Sequence, residues 1–222
     1  CLNGKILRID PSTGAGIPSN PFYDPANPLA PRSRVWALGL RNPYRMTLRP
    51  GTGSHDPGDG NPGVIYLGDV GWNTYEDLHV CTGPGQNFGW PLFEGLTAQS
   101  GYWNRRTANP DAPNPLFGTG GCTRQYFDFQ DLIQQDTLAS VSFPNPCNTS
   151  QSVPASIPTF VHVRPVIDYG HSFGPSRTGI YSGDAAAVVN IGAPGSPVSG
   201  PQFGGNAATG GVWYTGTQFP VE

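Results

Sequence analysis

Three short stretches carry residue types able to bind an anion or a cation. In "ALGLRNPYRMTL" an apolar run ends in Arg41-Asn42-Pro43. Arg presents a planar fork of donors that matches a carboxylate, and Asn adds one donor group and one acceptor. Pro43 fixes its own φ and holds Asn42 out of the helical region, so the turn is stiff. Such a loop could take a small anionic ligand. It could equally pair Arg41 with a local carboxylate and use Asn42 to cap the turn. In "VIYLGDVGWNTYEDLHV", Asp69, Asn73, Glu76 and Asp77 are hard oxygen donors, and the Gly71 and Trp72 carbonyls fall in a tight turn. Calcium takes roughly six to eight such oxygens from loops. The spacing is not that of an EF-hand, and Asp69 bonding nearby N–H groups in an ordinary turn also accounts for it. "GQNFGWPLFEG", with Phe88 and Phe93 around Gly-Trp-Pro, reads as an aromatic-packed corner.

The elements that must position these residues are short and strand-like. Apolar runs bounded by Gly, Pro, Asn or Asp predict strands at Lys5–Ile9, Val35–Leu40, Arg45–Leu48, Val64–Leu67, Glu76–Val80, Val161–Tyr169 and Val212–Thr215. Only Tyr126–Ser140 has apolar residues at helical spacing (Phe129, Leu132, Ile133), which predicts a short helix. Many short strands between turn-rich connections indicate an all-β sandwich, barrel or propeller, and no strict repeat selects among them. The middle, Trp90 to Pro158, is irregular and polar. It is expected to form an insertion, 96–158, within one domain spanning 1–222.

Composition agrees. The chain has Gly 31 and Pro 25, but its 11% aromatic residues supply packing surface that disordered chains lack. Net charge is -3 with no basic block, which disfavours nucleic acid. No apolar run approaches the length of a membrane helix, and no signal peptide is visible. The cysteines, Cys1, Cys81, Cys122 and Cys147, form no C-x-x-C pair, so a zinc site is disfavoured. Four cysteines allow three pairings. Cys122 with Cys147 is preferred because it would order the Pro- and Asn-rich segment between them, and an oxidising compartment follows. Asn148-Thr149-Ser150 is a formal glycosylation acceptor.

In order, "GKILRIDP", "VWALGLRNPYRMTL", "IYLGDVGWNTYEDL" and "NFGWPLFEG" resemble the consecutive signatures of the glucose/sorbosone dehydrogenase family. These are soluble sugar dehydrogenases dependent on pyrroloquinoline quinone (PQQ), and their hedgehog-interacting-protein-like relatives. The resemblance is dense from Gly4 to Gly95 and resumes at "RPVIDYGHS" and "GGNAATGGVWYTGTQFP". It implies a six-bladed β-propeller, of which this chain is expected to be an incomplete ring, about half. It implies that Arg41 and Asn42 contact PQQ, a tricarboxylate. It implies that the main-chain carbonyls of Gly71 and Trp72 hold the cofactor's calcium. Trp72 departs from the residue some members have there, a change a carbonyl ligand tolerates. Asp77 stands where many relatives carry an acid and Phe88 where they carry Tyr; some use these positions for a second, structural calcium.

The resemblance implies no catalytic residue in this chain, because the family's catalytic histidine precedes the "GKILRI" strand. None of His55, His79, His162 and His171 stands in its context. His171, near Asp168, is expected to be a hydrogen-bonded structural histidine. The expectation is therefore part of a secreted or periplasmic PQQ-dependent dehydrogenase acting on a small sugar, an aldose or polyol, with its electron acceptor open. The alternative is a non-catalytic propeller module of a secreted multidomain protein.

Overall fold

Six segments build one antiparallel sheet. In the computed structural model, which describes residues 1–172 and 174–218, they are Pro43–Leu48 (β1), Ile65–Asp69 (β2), Tyr75–Cys81 (β3), Ile167–Gly170 (β4), Ser176–Ser182 (β5) and Ala185–Asn190 (β6). Their order across the sheet follows the chain, so the topology is a meander interrupted between β3 and β4.

Register explains which residues meet. Ile65 faces Cys81, Leu67 faces His79 and Asp69 faces Asp77. With a side-chain period of two, these pairs share one face of the sheet. That face is apolar at one end, where Ile65, Leu67 and Cys81 pack with Ile6, Trp36, Leu40 and Phe88. It becomes acidic at the other. The opposite face carries Tyr66, Gly68, Glu76 and Tyr169. The C-terminal segment lies over it: Trp213 stacks edge-on against Tyr66 at 4.9 Å, and Tyr169 donates to the Ala207 carbonyl. A Cβ on Gly68 would sit 2.3 Å from the Gly210 nitrogen, so only glycine admits that segment.

The meander departs from expectation in several ways. The described residues show one six-stranded sheet with small two-stranded pairs, and no closed ring. Val212–Thr215 is not a strand; Trp213 is held through its ring, against Tyr66 and under Arg49, without a ladder partner. The end of "GTQFP", from 219 on, lies outside the described residues. Val161–Tyr169 divides into Phe160–His162 and β4, with Pro165, which has no N–H to donate, between them. The β5–β6 hairpin was not expected, although its Gly183-Asp184 turn is a hairpin signal.

The predicted helix at Tyr126–Ser140 is overturned. Tyr126–Asp128 and Ile133–Gln135 are strands joined by a 3-10 turn at Phe129–Asp131. Asp128 and Asp131 cap the start of that turn and bind Arg106 and Arg124, and the chain leaves the helical path where Ile133–Gln135 pairs with Phe160–His162. The segment around it is irregular but has its own small core of Ala112, Phe127, Leu132, Val153 and Ile157. The Cys122–Cys147 disulfide closes it as preferred from the sequence, while Cys1 and Cys81 are free.

Candidate functional site

The loop before β1 and the β2–β3 turn meet because Pro43 pairs with Asp69 in the sheet. Asp69 then clamps the loop's backbone. Its Oδ2 accepts from Arg41 N–H at 2.8 Å and its Oδ1 from Asn42 N–H at 2.6 Å. Burial pushes the Asp69 carboxyl up to about 6, against the pull of these two hydrogen bonds. The Arg41 side chain does not pair with a carboxylate. Its Nη1 donates to the Val70 carbonyl at 2.9 Å and the Gly71 carbonyl at 2.6 Å, and its guanidinium lies 5.8 Å from the Trp90 ring. Among the described residues nothing accepts from its Nε or Nη2, or bonds the Asn42 side-chain amide.

The β2–β3 turn is held from beneath by two buried carboxylates: Glu76, singled out in the sequence as an oxygen donor, and Glu94, which sequence reasoning missed. Glu94 Oε1 accepts from the N–H groups of Trp72, Asn73, Thr74 and Tyr75 at 2.7 to 3.3 Å. Glu76 Oε2 accepts from Gly71 N–H at 3.2 Å and from Ala208 N–H at 2.6 Å. In a trans peptide the N–H and C=O point in opposite directions. Drawing the Trp72 and Asn73 N–H groups down to Glu94 therefore turns the Gly71 and Trp72 carbonyls outward. The first meets Arg41; the second takes no donor among the described residues. A lone Glu inside the apolar "GWPLFEG" corner was the available signal for Glu94.

Asp77 stands on the inner face of β3, opposite Asp69, and its Oδ2 accepts from Gly95 N–H at 3.3 Å. It is buried, and its Oδ1 has no partner. Burial, with the charges of Asp168 and Asp69, pushes its carboxyl well above the usual range. One atom each of Asp69, Asp77 and His79 lie within 4.8 Å of one another. Phe88 is buried with its ring against His79 at 4.7 Å.

Three of the four histidines are buried or hydrogen-bonded; His55 is exposed. His171 Nε2 is 2.7 Å from Glu76 Oε1, the hydrogen-bonded structural role expected of it. Its neighbour in sequence, Asp168, instead holds Arg177 through both oxygens, at 2.8 and 2.5 Å. Burial drives His79 and His162 down to about 3, so both are neutral.

An anionic ligand fits the open side of Arg41 and Asn42, where donors are free. A calcium ion fits the outward carbonyls in part. Trp72 offers an unpartnered oxygen above several buried acids, but the Gly71 oxygen is shared with a guanidinium.

Residues 1–120 match the family described as Glucose / Sorbosone dehydrogenase, more than half of the 222 residues. HIPL2 protein of Arabidopsis thaliana is 35% identical over 109 residues, which is 42% of this chain and 14% of that protein. HIPL1 protein of the same plant is 33% identical over 109 residues, with the same coverage. The chain thus spans 14% of the length of these curated relatives. The PQQ-bound form of aldose sugar dehydrogenase from Streptomyces coelicolor superimposes at a TM-score of 0.30 with 18% identity, covering 86% of this chain and 40% of that one. A superposition this loose decides nothing about architecture. The family match stands without it: it spans the Arg41-Asn42 loop, the Gly71-Trp72 turn and the Glu94 corner, and the chain belongs to the glucose/sorbosone dehydrogenase family.

Proposed function

We propose that this chain supplies the quinone-binding side of a PQQ-dependent dehydrogenase that oxidises an aldose or polyol. The observation that carries this reading is the Arg41 guanidinium. It is anchored through Nη1 to the Val70 and Gly71 carbonyls, with its other nitrogens and the Asn42 amide free beside it. A rigid, half-open cation of this kind suits a polycarboxylate. When bound, PQQ would supply a two-electron acceptor for oxidation of a sugar hydroxyl carbon to a carbonyl.

Within this chain, Arg41 and Asn42 would hold the cofactor's carboxylates, and Glu94 would keep the Gly71 and Trp72 carbonyls outward, with Glu76 fixing the Gly71 N–H beside them. Those carbonyls would carry calcium, which polarises an oxygen bound to it. A second calcium at Asp77 and Phe88 belongs to the same reading. It is supported by the unpartnered Asp77 Oδ1. The resemblance puts the proton acceptor elsewhere in the protein; in this chain His79 and His162 are buried and His171 is bonded to Glu76. The disulfide supports a secreted or periplasmic setting; among the described residues no helix is long and apolar enough to cross a membrane.

The test is titration of the full-length protein with PQQ and calcium, followed by dye-linked sugar oxidation. An absorbance shift with turnover supports the reading, and neither appearing sinks it. The isolated chain is expected to show no turnover. A second reading, a propeller module that binds a partner without catalysis, is favoured by one feature: Arg41 already donates to the Gly71 oxygen that calcium would need. It predicts no spectral response to calcium plus PQQ.

A further inference from the structure

Asn148-Thr149-Ser150 is the one Asn-x-Ser/Thr triplet in the chain, and the site described above does not use it. Such a triplet is frequent by chance; its setting in the fold is what singles this one out. Asn148 opens a strand, Asn148–Ser152, that returns along Pro144–Asn145 as a tight hairpin. All of that strand's residues are exposed. The residues just before it are fixed instead. Asn145 is buried and donates to Asn114 Oδ1 at 2.8 Å, and Cys147 is joined to Cys122. The hairpin therefore stands on an anchored base and holds the triplet out in solvent.

The Asn148 side chain is arranged by its own triplet. Its Oδ1 accepts from the Ser150 hydroxyl at 2.7 Å and from the Ser150 N–H at 3.2 Å. Both donors go to the oxygen. The amide nitrogen is left over, and no described residue bonds it. A hydroxyl two places after the Asn is what the acceptor triplet requires, and here that hydroxyl is engaged with the acceptor amide. The hairpin is a two-stranded sheet, so each strand keeps an open edge. Open edges recruit other chains, and natural proteins blunt or cover them.

We propose that Asn148 carries an N-linked oligosaccharide that stands over this hairpin. A bulky, solvated group fits an exposed strand and would not fit a packed one. The proposal goes beyond the quinone reading and does not depend on it. It needs only an exported chain, to which the Cys122–Cys147 disulfide points independently. The co-substrate class is an oligosaccharide carried on a lipid diphosphate. Asn148 Nδ2 bonds to C1 of the sugar, and the bond from C1 to the diphosphate oxygen breaks. That oxygen keeps the electron pair, and the Nδ2 proton leaves to a base of the transferase. Nothing is oxidised or reduced.

Peptide mapping by mass spectrometry tests this on full-length protein purified from the cells that make it, before and after a peptide N-glycosidase. The enzyme is expected to move the protein down a gel and to convert the asparagine at 148 to an aspartate. Unmodified Asn148 in both samples overturns the proposal, and so does sugar found on Thr149 or Ser150 that resists the enzyme. Asn148→Gln and Ser150→Ala are each expected to lose the glycan mass at this peptide, and Thr149→Ala to keep it. Glycan mass that survives Asn148→Gln at this peptide also overturns it. The wild-type map decides the question even if a variant does not fold. A PQQ titration of Asn148→Gln is expected to match wild type whether or not wild type binds PQQ, so the two readings stand or fall separately.

Discussion

Arg41 Nη1 donates to the Gly71 carbonyl at 2.6 Å, tying the loop before β1 to the turn after β2. The contact places a permanent cation beside the oxygen that the family resemblance assigns to calcium. It also leaves the rest of the guanidinium fork open. Arg41→Lys keeps the charge but loses the planar fork. PQQ affinity, read from an absorbance titration, is expected to fall at least about tenfold, while unfolding free energy changes by under about 1 kcal/mol. Unchanged PQQ affinity would remove Arg41 from the site.

Glu94 gathers four consecutive N–H groups on one oxygen. Glu94→Ala leaves them without an acceptor and is expected to cost about 3 kcal/mol in urea unfolding. Glu94→Gln keeps a carbonyl oxygen at the same place and is expected to cost about half as much. Equal losses for the two variants would show that packing, not hydrogen bonding, is what Glu94 supplies.

His162 stacks on Phe93 at 4.1 Å and lies 2.6 Å from Gln135 Oε1 through Nδ1. Gln135 Nε2 is committed to the Leu96 carbonyl at 3.0 Å, so its oxygen faces the ring and Nδ1 carries the proton. Folded, the ring titrates near 3 because of burial; unfolded, at its ordinary 6.5. The unfolded chain therefore binds more protons across that window, and this contribution to stability is lost as pH falls from 6.5 towards 3. Asp69 works in the opposite sense. Its folded value near 6 lies above its ordinary 3.8, so the folded chain holds the extra proton and gains stability on acidification. Between pH 7.5 and 5, wild type is expected to lose about 2 kcal/mol more than His162→Leu, measured by urea unfolding at both values. Equal losses would place His162 outside the pH response.

Cys122 and Cys147 are 25 residues apart in sequence and joined. Replacing both by Ser removes the closed loop and is expected to cost about 3 kcal/mol. The loss should appear as faster amide exchange around Phe127 and Val153, with β2 and β3 protected as before. Uniform loss of protection would make this segment part of the same cooperative unit as the sheet.

Much of the site was readable in the chain. The Arg41-Asn42-Pro43 turn, the Gly71-Trp72 turn and the strands flanking them follow from residue types and period-two alternation, which are local properties. The structural role of His171 was also readable. The partners were not. That Arg41 bonds two carbonyls rather than an acid depends on the register that sets Pro43 against Asp69.

Local patterning determined that this is an all-β chain with a stiff cationic turn and a glycine-led second turn, since those rest on φ/ψ preferences of adjacent residues. Only the tertiary structure decided which carboxylates lie beneath the second turn, that Tyr126–Ser140 is not a helix, and that Trp72, Trp90 and Tyr102 pack as one edge-to-face cluster. Glu94 is about 20 residues from the N–H groups it holds, and Tyr102 is 30 from Trp72. Contacts at that separation are set by packing and hydrogen-bond satisfaction across the fold, which no local window encodes.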